Sequence, residues 1–236
     1  MKKVIVFSIL ILLLFTSCIK MEYEIFKSYI NSYYDYEEFI LTLTDSKNIK
    51  VTGKTPWDLA DWKSTGNQKK IYDNLCILHN DLNYNKKRGY IVSTDWGCNY
   101  KGTFTEISVI SDKDFDEKHP AGSSLNDIVR FLSTSPKKFI DSNYKSYYDW
   151  INNYPGNFNL ENTVRDFINV RWEDQPCYHP IDKNLSEITI SDLALVEWFV
   201  IIFEKQPDKE KEHEITVTIK EGDGRVFTPN ITMVFE

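Results

Sequence analysis

The stretch Leu193-Ala194-Leu195-Val196-Glu197-Trp198-Phe199-Val200-Ile201-Ile202-Phe203 is apolar at every position except Glu197 and shows no alternation. A strand with one wet face alternates; one apolar on both faces belongs in the middle of a sheet. The spacing therefore predicts a central strand over Leu193 to Glu204, preceded by a strand-like piece at Ile188 to Ser191. After a charged loop from Pro207 to Glu212, Ile215, Val217 and Ile219 point one way and Thr216 and Thr218 the other. Gly222-Asp223-Gly224 supplies turn chemistry, and Val226 to Phe235 returns, which predicts a β-hairpin. Three consecutive antiparallel strands form a meander whose apolar face needs a second layer.

The rest of the chain supplies that layer and some helix. Ile25, Phe26, Tyr29, Ile30 and Tyr33 recur at near-helical spacing, and Phe39, Leu41 and Leu43 then alternate as a strand. Gly53 to Gly66 reads as an irregular excursion. Lys69 to Leu82 reads as a helix with Ile71, Leu75, Leu78 and Leu82 on one face. Tyr90 to Thr94 is strand-like, Gly97 to Gly102 a turn, and Thr103 to Ser111 a strand bearing Phe104, Ile107, Val109 and Ile110. Ser124-Leu125-Asn126-Asp127 matches a capping box and predicts a helix from Asp127 to Leu132. Pro136 leads into a second helix, Lys137 to Asn152, stopped by Tyr154-Pro155-Gly156. Leu160 to Ile168 reads as a third helical piece and Asp174 to Asn184 as loop. The expected class is α+β to mainly β: an antiparallel sheet, sandwich-like, with two or three flanking helices. With no internal repeat and no low-complexity linker, one domain is expected.

At the N-terminus, Lys2 and Lys3 precede an apolar run of twelve residues, Val4 to Phe15, too short for the roughly 20 residues that span a bilayer and of the length of a signal-peptide core. Leu14-Phe15-Thr16-Ser17-Cys18 resembles a bacterial lipobox, with Phe15 as its one departure. The expectation is a cleaved peptide, residues 1–17, a diacylated Cys18, and an extracytoplasmic domain over 18–236 that begins with a short tether. Ile19 after the cysteine, where an aspartate would resemble an inner-membrane retention signal, points to the outer membrane; which face it occupies is left open.

Cleavage leaves 219 of the 236 residues, with 26 basic against 35 acidic side chains, a net charge of −9 instead of −7. Nucleic acid is excluded as a partner, because binding it needs clustered Lys and Arg that release counterions. Apolar content of 42% with 14% aromatic residues argues for a packed core rather than disorder.

Beyond Cys18 the cysteines are Cys76, Cys98 and Cys177. The best single pair is Cys76 with Cys98, closing a loop of about 22 residues that contributes about 3 kcal/mol on chain-entropy grounds; three reduced thiols are the alternative. Asp112, Asp114 and Asp116 have calcium-loop spacing, but Glu117 stands where a glycine must turn and Ser123 where a bidentate glutamate must close the shell, so a solvated acidic loop is the stronger reading. Cys177 and His179 are two apart, close enough for a thiolate and its base. Without an oxyanion-hole signature, packing is the stronger reading of that pair too. His79, His119, His179 and His213 are scattered singly, with no zinc spacing, and no cofactor motif is present. The remaining candidates are aromatic. Trp57, Trp62, Trp96, Tyr100 and Trp172 fall in predicted loops or loop edges, where a flat exposed ring stacks on a sugar face or anchors a partner; Trp150 and Trp198 read as core.

The lipobox, the Asn-, Ile-, Lys- and Tyr-rich composition, and the segment Ser111-Asp112-Lys113-Asp114-Phe115-Asp116 followed by Pro120-Ala121-Gly122-Ser123-Ser124-Leu125-Asn126-Asp127 resemble uncharacterised envelope lipoproteins of Bacteroidetes. The resemblance is specific over about Ile107 to Phe131 and looser over Val196 to Phe235. It implies a compartment and a folded β-rich domain, with no catalytic residues. The functional expectation is a non-enzymatic lipoprotein, held to the membrane by its lipid, that binds a glycan or an envelope protein. Two classes compete with it: a hydrolase of envelope or dietary polymers, which needs convergent carboxylates or a Cys177–His179 contact in a cleft, and a structural accessory subunit.

Overall fold

The computed structural model describes residues 27–54, 56–84, 98–145 and 179–236. In chain order the elements are β1 (Ser32–Asp35), β2 (Glu38–Leu43), β3 (Asn48–Lys54), β4 (Trp57–Asp61), α1 (Gly66–Leu78), β5 (Cys98–Tyr100), β6 (Phe104–Ser111), β7 (Val129–Ser135), α2 (Lys137–Asp141), β8 (His179–Asn184), a 3-10 turn at Leu185–Glu187, β9 (Trp198–Phe203), β10 (Glu212–Glu221), β11 (Val226–Phe227) and β12 (Asn230–Val234). The expected signal peptide and Cys18, the expected Tyr90 to Thr94 strand, the part of the expected second helix beyond residue 145 and the expected Leu160 to Ile168 helix lie outside the described residues, as do Trp96, Trp150, Trp172 and Cys177.

Two antiparallel sheets face each other. One has the order β2-β3-β9-β7-β8, with β9 in the middle, where its apolar sequence requires it to be. The other centres on β10, with β6 on one side and β11 and β12 on the other. Their inner faces share a single core: Phe39, Ile49, Val51, Phe131, Phe199, Ile201 and Phe203 meet Ile107, Val109, Ile215, Val217, Ile219 and Met233. Each such side chain contributes about 1.5–3 kcal/mol relative to exposure. The fold is thus a sandwich-like α+β arrangement. A third, small sheet, β4-β1-β5, pairs β1 antiparallel to β4 and parallel to β5. With α1 and α2 it encloses a second cluster that includes Tyr29, Tyr33, Tyr72, Cys76, Phe139 and Tyr144.

Several expectations are corrected. Strand β9 and the hairpin do not form a meander; they lie in opposing sheets. Strand β9 also starts late, because Leu195 adopts a left-handed conformation (φ 57°) and the Ala194 carbonyl is captured by the Ser135 hydroxyl at 2.6 Å. Residues 188–191 are not a strand: the Asp192 carboxylate accepts from the Thr189 amide and hydroxyl and closes a turn. The helix expected near Tyr29 gives way to β1, since the amides of Tyr29 and Ile30 donate to the Asp81 carboxylate at 2.8 Å each instead of continuing a helical ladder. The excursion from Gly53 contains the end of β3 and all of β4, residues 97–102 contain β5, and the loop assigned to 174–184 contains β8.

The Ser124 capping box opens no helix. Ser124 Oγ accepts from the Asn126 amide, and the Asn126 side chain clamps β6 by accepting from the Val109 amide (2.9 Å) and donating to the Ile107 carbonyl (3.1 Å). The segment it was expected to start is β7. Helix α2 forms after Pro136 as expected, but stops at Asp141. Helix α1 forms where a helix was expected but turns a different face inward, burying Tyr72 and Cys76 rather than Ile71 and Leu78.

Candidate functional site

Strand β1 places Asp35 opposite Trp57 of β4, so the two side chains stand on one face of the small sheet with Cβ atoms about 5 Å apart. The Trp57 indole is 39% exposed, whereas Asp35 is buried. Burying a carboxylate is costly unless it is paired. Arg225 Nη2 donates to Asp35 Oδ1 at 2.7 Å, and Lys101 Nζ lies 2.7 Å from Oδ2.

Arg225 reaches Asp35 across 190 residues of sequence. It leaves the tight turn between β10 and β11, where Gly224 has φ +91°, a conformation that favours glycine. Asp223 in that turn accepts from the Arg225 amide (3.0 Å) and from Nε (3.0 Å), and binds Lys101 Nζ at 3.1 Å. Arg225 Nη1 donates to the Tyr36 carbonyl at 3.2 Å and Nη2 reaches the Tyr100 hydroxyl at 3.4 Å. The guanidinium therefore joins the hairpin to the small sheet.

Glu221 completes the group. Its Oε2 lies 2.7 Å from Arg225 Nη2 but off the donor axis, so the contact is an ion pair without hydrogen-bond alignment. Burial pushes the Glu221 carboxyl up to about 7, an effect Arg225 opposes and Asp223 and Asp35 reinforce. Asp223, despite its partial burial, is held below the usual range by the Arg225 amide and by Lys101. Three carboxyls thus face two cations, and the strand register sets Trp57 across from one of those carboxyls, Asp35.

Behind this group, burial pushes Glu197 up to about 7 even though the Tyr34 hydroxyl bonds to it. Burial also raises Tyr34 and Tyr36, which keeps both phenols neutral donors. The rings of Tyr36 and Tyr100 stack with centroids 5.1 Å apart.

The other expected residues scatter. Trp62, just past β4, is half-buried against the second cluster, with Lys63 Nζ 4.8 Å from its ring centre. About 17 Å of extended chain separates it from Trp57, so the two indoles form no common platform. Tyr100 is a correction: it is fully buried, because β5 turns it into the aromatic core beside Phe39 and Phe104. Trp198 is half-buried, its ring centre 5.7 Å from Lys50 Nζ. Cys76 is a free, buried thiol and not half of the expected bridge to Cys98; its helix face turns it toward Ser28 Oγ, 3.5 Å away. The side chain of Cys98 is outside the description.

The acidic loop is held together by its own carboxylates. Asp112 accepts from the Glu214 amide at 2.7 Å and Asp114 from the Ala121 amide at 2.9 Å. Asp116 and Asp127 bracket His119, at 2.6 Å from Nδ1 and 2.9 Å from Nε2. Both ring nitrogens face carboxylates, which outweighs burial and raises the imidazole above its ordinary value. His213 is a core residue between the Ser111 hydroxyl (2.7 Å) and the Glu210 carbonyl (2.9 Å). His179 is buried at the start of β8, and burial, aided by Lys138, pulls it down to about 4, so it is a weak base. Among the described residues no group of three or more His, Cys, Asp or Glu is arranged to hold a metal.

No family model, curated protein or solved structure matches the chain. The site is therefore argued from its own geometry. Sequence reasoning found Trp57 and the Gly222-Asp223-Gly224 turn separately, but missed Asp35, Lys101, Glu197, Glu221 and Arg225. The signals available for these were a basic residue directly after a hairpin turn and acids on strand edges, which are common on any surface.

Proposed function

We propose that the chain is an envelope lipoprotein, anchored in the outer membrane through acylated Cys18, that binds a glycan without transforming it. The observation that carries the binding role is the exposed Trp57 indole standing on the same face as the Asp35–Arg225 ion pair. A sugar ring has an apolar face that stacks on an indole and hydroxyls that need both donors and acceptors. Arg225, Lys101 and Asp223, all partly exposed and joined to Asp35 opposite Trp57, include both kinds. The anchor is supported by the lipobox-like Leu14 to Cys18 and by the resemblance to Bacteroidetes lipoproteins.

Against a hydrolase stands the occupation of the carboxyls that titrate near neutrality. Glu197 is tied to Tyr34, Glu221 faces Arg225, and Asp81 accepts from Tyr29, Ile30 and the Tyr144 hydroxyl. A thermal-shift screen against polysaccharides and oligosaccharides tests the reading. A ligand at about a hundred times its dissociation constant adds about 2.7 kcal/mol, a midpoint rise of about 5–10 °C in a chain of this size. Trp57→Ala is expected to abolish the rise, and a rise that survives it refutes the site. Cys18→Ala is expected to abolish acyl labelling and release the protein from membranes; a variant still fully membrane-bound refutes the anchor.

A further inference from the structure

We infer that the glycan bound at this site is uncharged. The inference names the ligand class of the proposed binding site and rests on that reading. Both cations of the site are already engaged by the protein. All three nitrogens of the Arg225 guanidinium have partners: Nε donates to Asp223 Oδ2 (3.0 Å), Nη1 to the Tyr36 carbonyl (3.2 Å) and Nη2 to Asp35 Oδ1 (2.7 Å), with Glu221 Oε2 also 2.7 Å from Nη2. Lys101 Nζ lies 2.7 Å from Asp35 Oδ2 and 3.1 Å from Asp223 Oδ2. A guanidinium recognises a carboxylate, sulfate or phosphate through two parallel N–H donors, and here that fork is taken. An acidic sugar would have to displace Asp223 or Asp35. The Asp35 side chain is 6% exposed, and stripping a buried carboxylate of its partner leaves an uncompensated charge.

The charge count points the same way. Arg225 and Lys101 supply +2 against −3 from Asp35, Asp223 and Glu221, a net of −1, or 0 where Glu221 holds its proton. The whole chain carries −7, a field that disfavours the approach of anions. A cationic amino sugar finds no free acid either, because Asp35 and Asp223 are each held by both cations and the Glu221 side chain is 2% exposed. What remains is the exposed Trp57 ring and one uncommitted proton each on Lys101 Nζ and Arg225 Nη1, which suit hydroxyl oxygens.

The test measures the thermal midpoint and dissociation constant of the mature chain, residues 18–236, with cellohexaose and mannohexaose as neutral probes, oligogalacturonate as the acidic probe and chitosan oligosaccharide as the cationic one. A neutral probe is expected to raise the midpoint by an amount that Trp57→Ala removes. Its dissociation constant is expected to change less than about twofold between about 0.01 and 0.1 M salt, where the screening length falls from about 30 to about 10 Å. Asp223→Asn keeps the Oδ1 that accepts from the Arg225 amide and withdraws the acceptor from Nε and Lys101, so it is expected to improve oligogalacturonate binding about tenfold, the worth of one charge-assisted hydrogen bond. An acidic or cationic probe that binds tightest, with a shift that Trp57→Ala removes, overturns the inference and leaves the site standing. An Asp223→Asn chain with unchanged preference overturns it too, because occupied cations would not then be what turns acids away. No rise with any probe, or a rise indifferent to Trp57→Ala, removes the binding reading and the inference together.

Discussion

Glu221→Gln tests whether the carboxyl beside Arg225 is a liability to the fold or a support. The folded protein holds this carboxyl at about 7 against an ordinary 4.5, with burial as the leading cause. Below the ordinary value the group is neutral in both the folded and unfolded chains and costs nothing. Above about 7 the folded state carries a charge that the unfolded state accommodates more easily, so stability is lost as pH rises through the interval between the two values. At 1.36 kcal/mol for each pH unit, that interval corresponds to about 3 kcal/mol. Glutamine keeps the shape and mimics the neutral acid, so the variant is expected to match the parent near pH 4.5 and to exceed it by about 3 kcal/mol near pH 8. Urea unfolding across that range measures the gap, and the contributions of Asp81, Glu197, His79 and His179 cancel in the difference. A gap that does not grow with pH would show that Arg225 stabilises the charged carboxylate fully, and the account of the cluster would fall.

Two other predictions concern the packing beneath the site. At Gly53 on β3, an added Cβ would lie 2.2 Å from the Tyr36 ring, so Gly53→Ala is expected to displace the ring and cost about 2 kcal/mol or more in urea unfolding; an unchanged midpoint would mean that the ring does not rest on the glycine. The Cys76 thiol is raised by burial, against the pull of Ser28, so a thiol reagent is expected to label Cys76, located by peptide mass, only in denaturant; rapid native labelling would contradict its burial.

The sandwich was legible because its signals are local. The unbroken apolar run around Phe199 could only be a middle strand, and the alternation of Ile215, Val217 and Ile219 fixed the inner face of β10. What failed was partner choice. Nothing within residues 193–235 says that β9 and β10 join different sheets, because that is decided by β3 and β7 flanking β9 and by β6 taking one edge of β10. The Ser124 box and the Tyr29 segment failed for a related reason. The box's Asp127 carboxylate is taken by His119 while Asn126 between its ends clamps Ile107 and Val109, and the amides of Tyr29 and Ile30 that would continue a helix go to Asp81.

The candidate site shows the same limit from the functional side. Trp57 stood out as an indole among turn formers, and the glycine turn stood out as a hairpin tip, yet only the fold brings Arg225 to Asp35. Helix α1 carries the point furthest. Ile71, Leu75, Leu78 and Leu82 do recur at helical spacing, and the helix exists, but the face it buries is centred on Tyr72 and Cys76. Periodicity reports which residues share a side of a helix; it does not say which side the rest of the chain covers. In α1 the protein interior is filled by Tyr72 and Cys76, whose hydroxyl and thiol engage Ser28. Of the aliphatic series only Leu75 packs against that interior, while Ile71, Leu78 and Leu82 stay exposed, because the aromatic and thiol side chains one step around the helix fill the space the small sheet leaves.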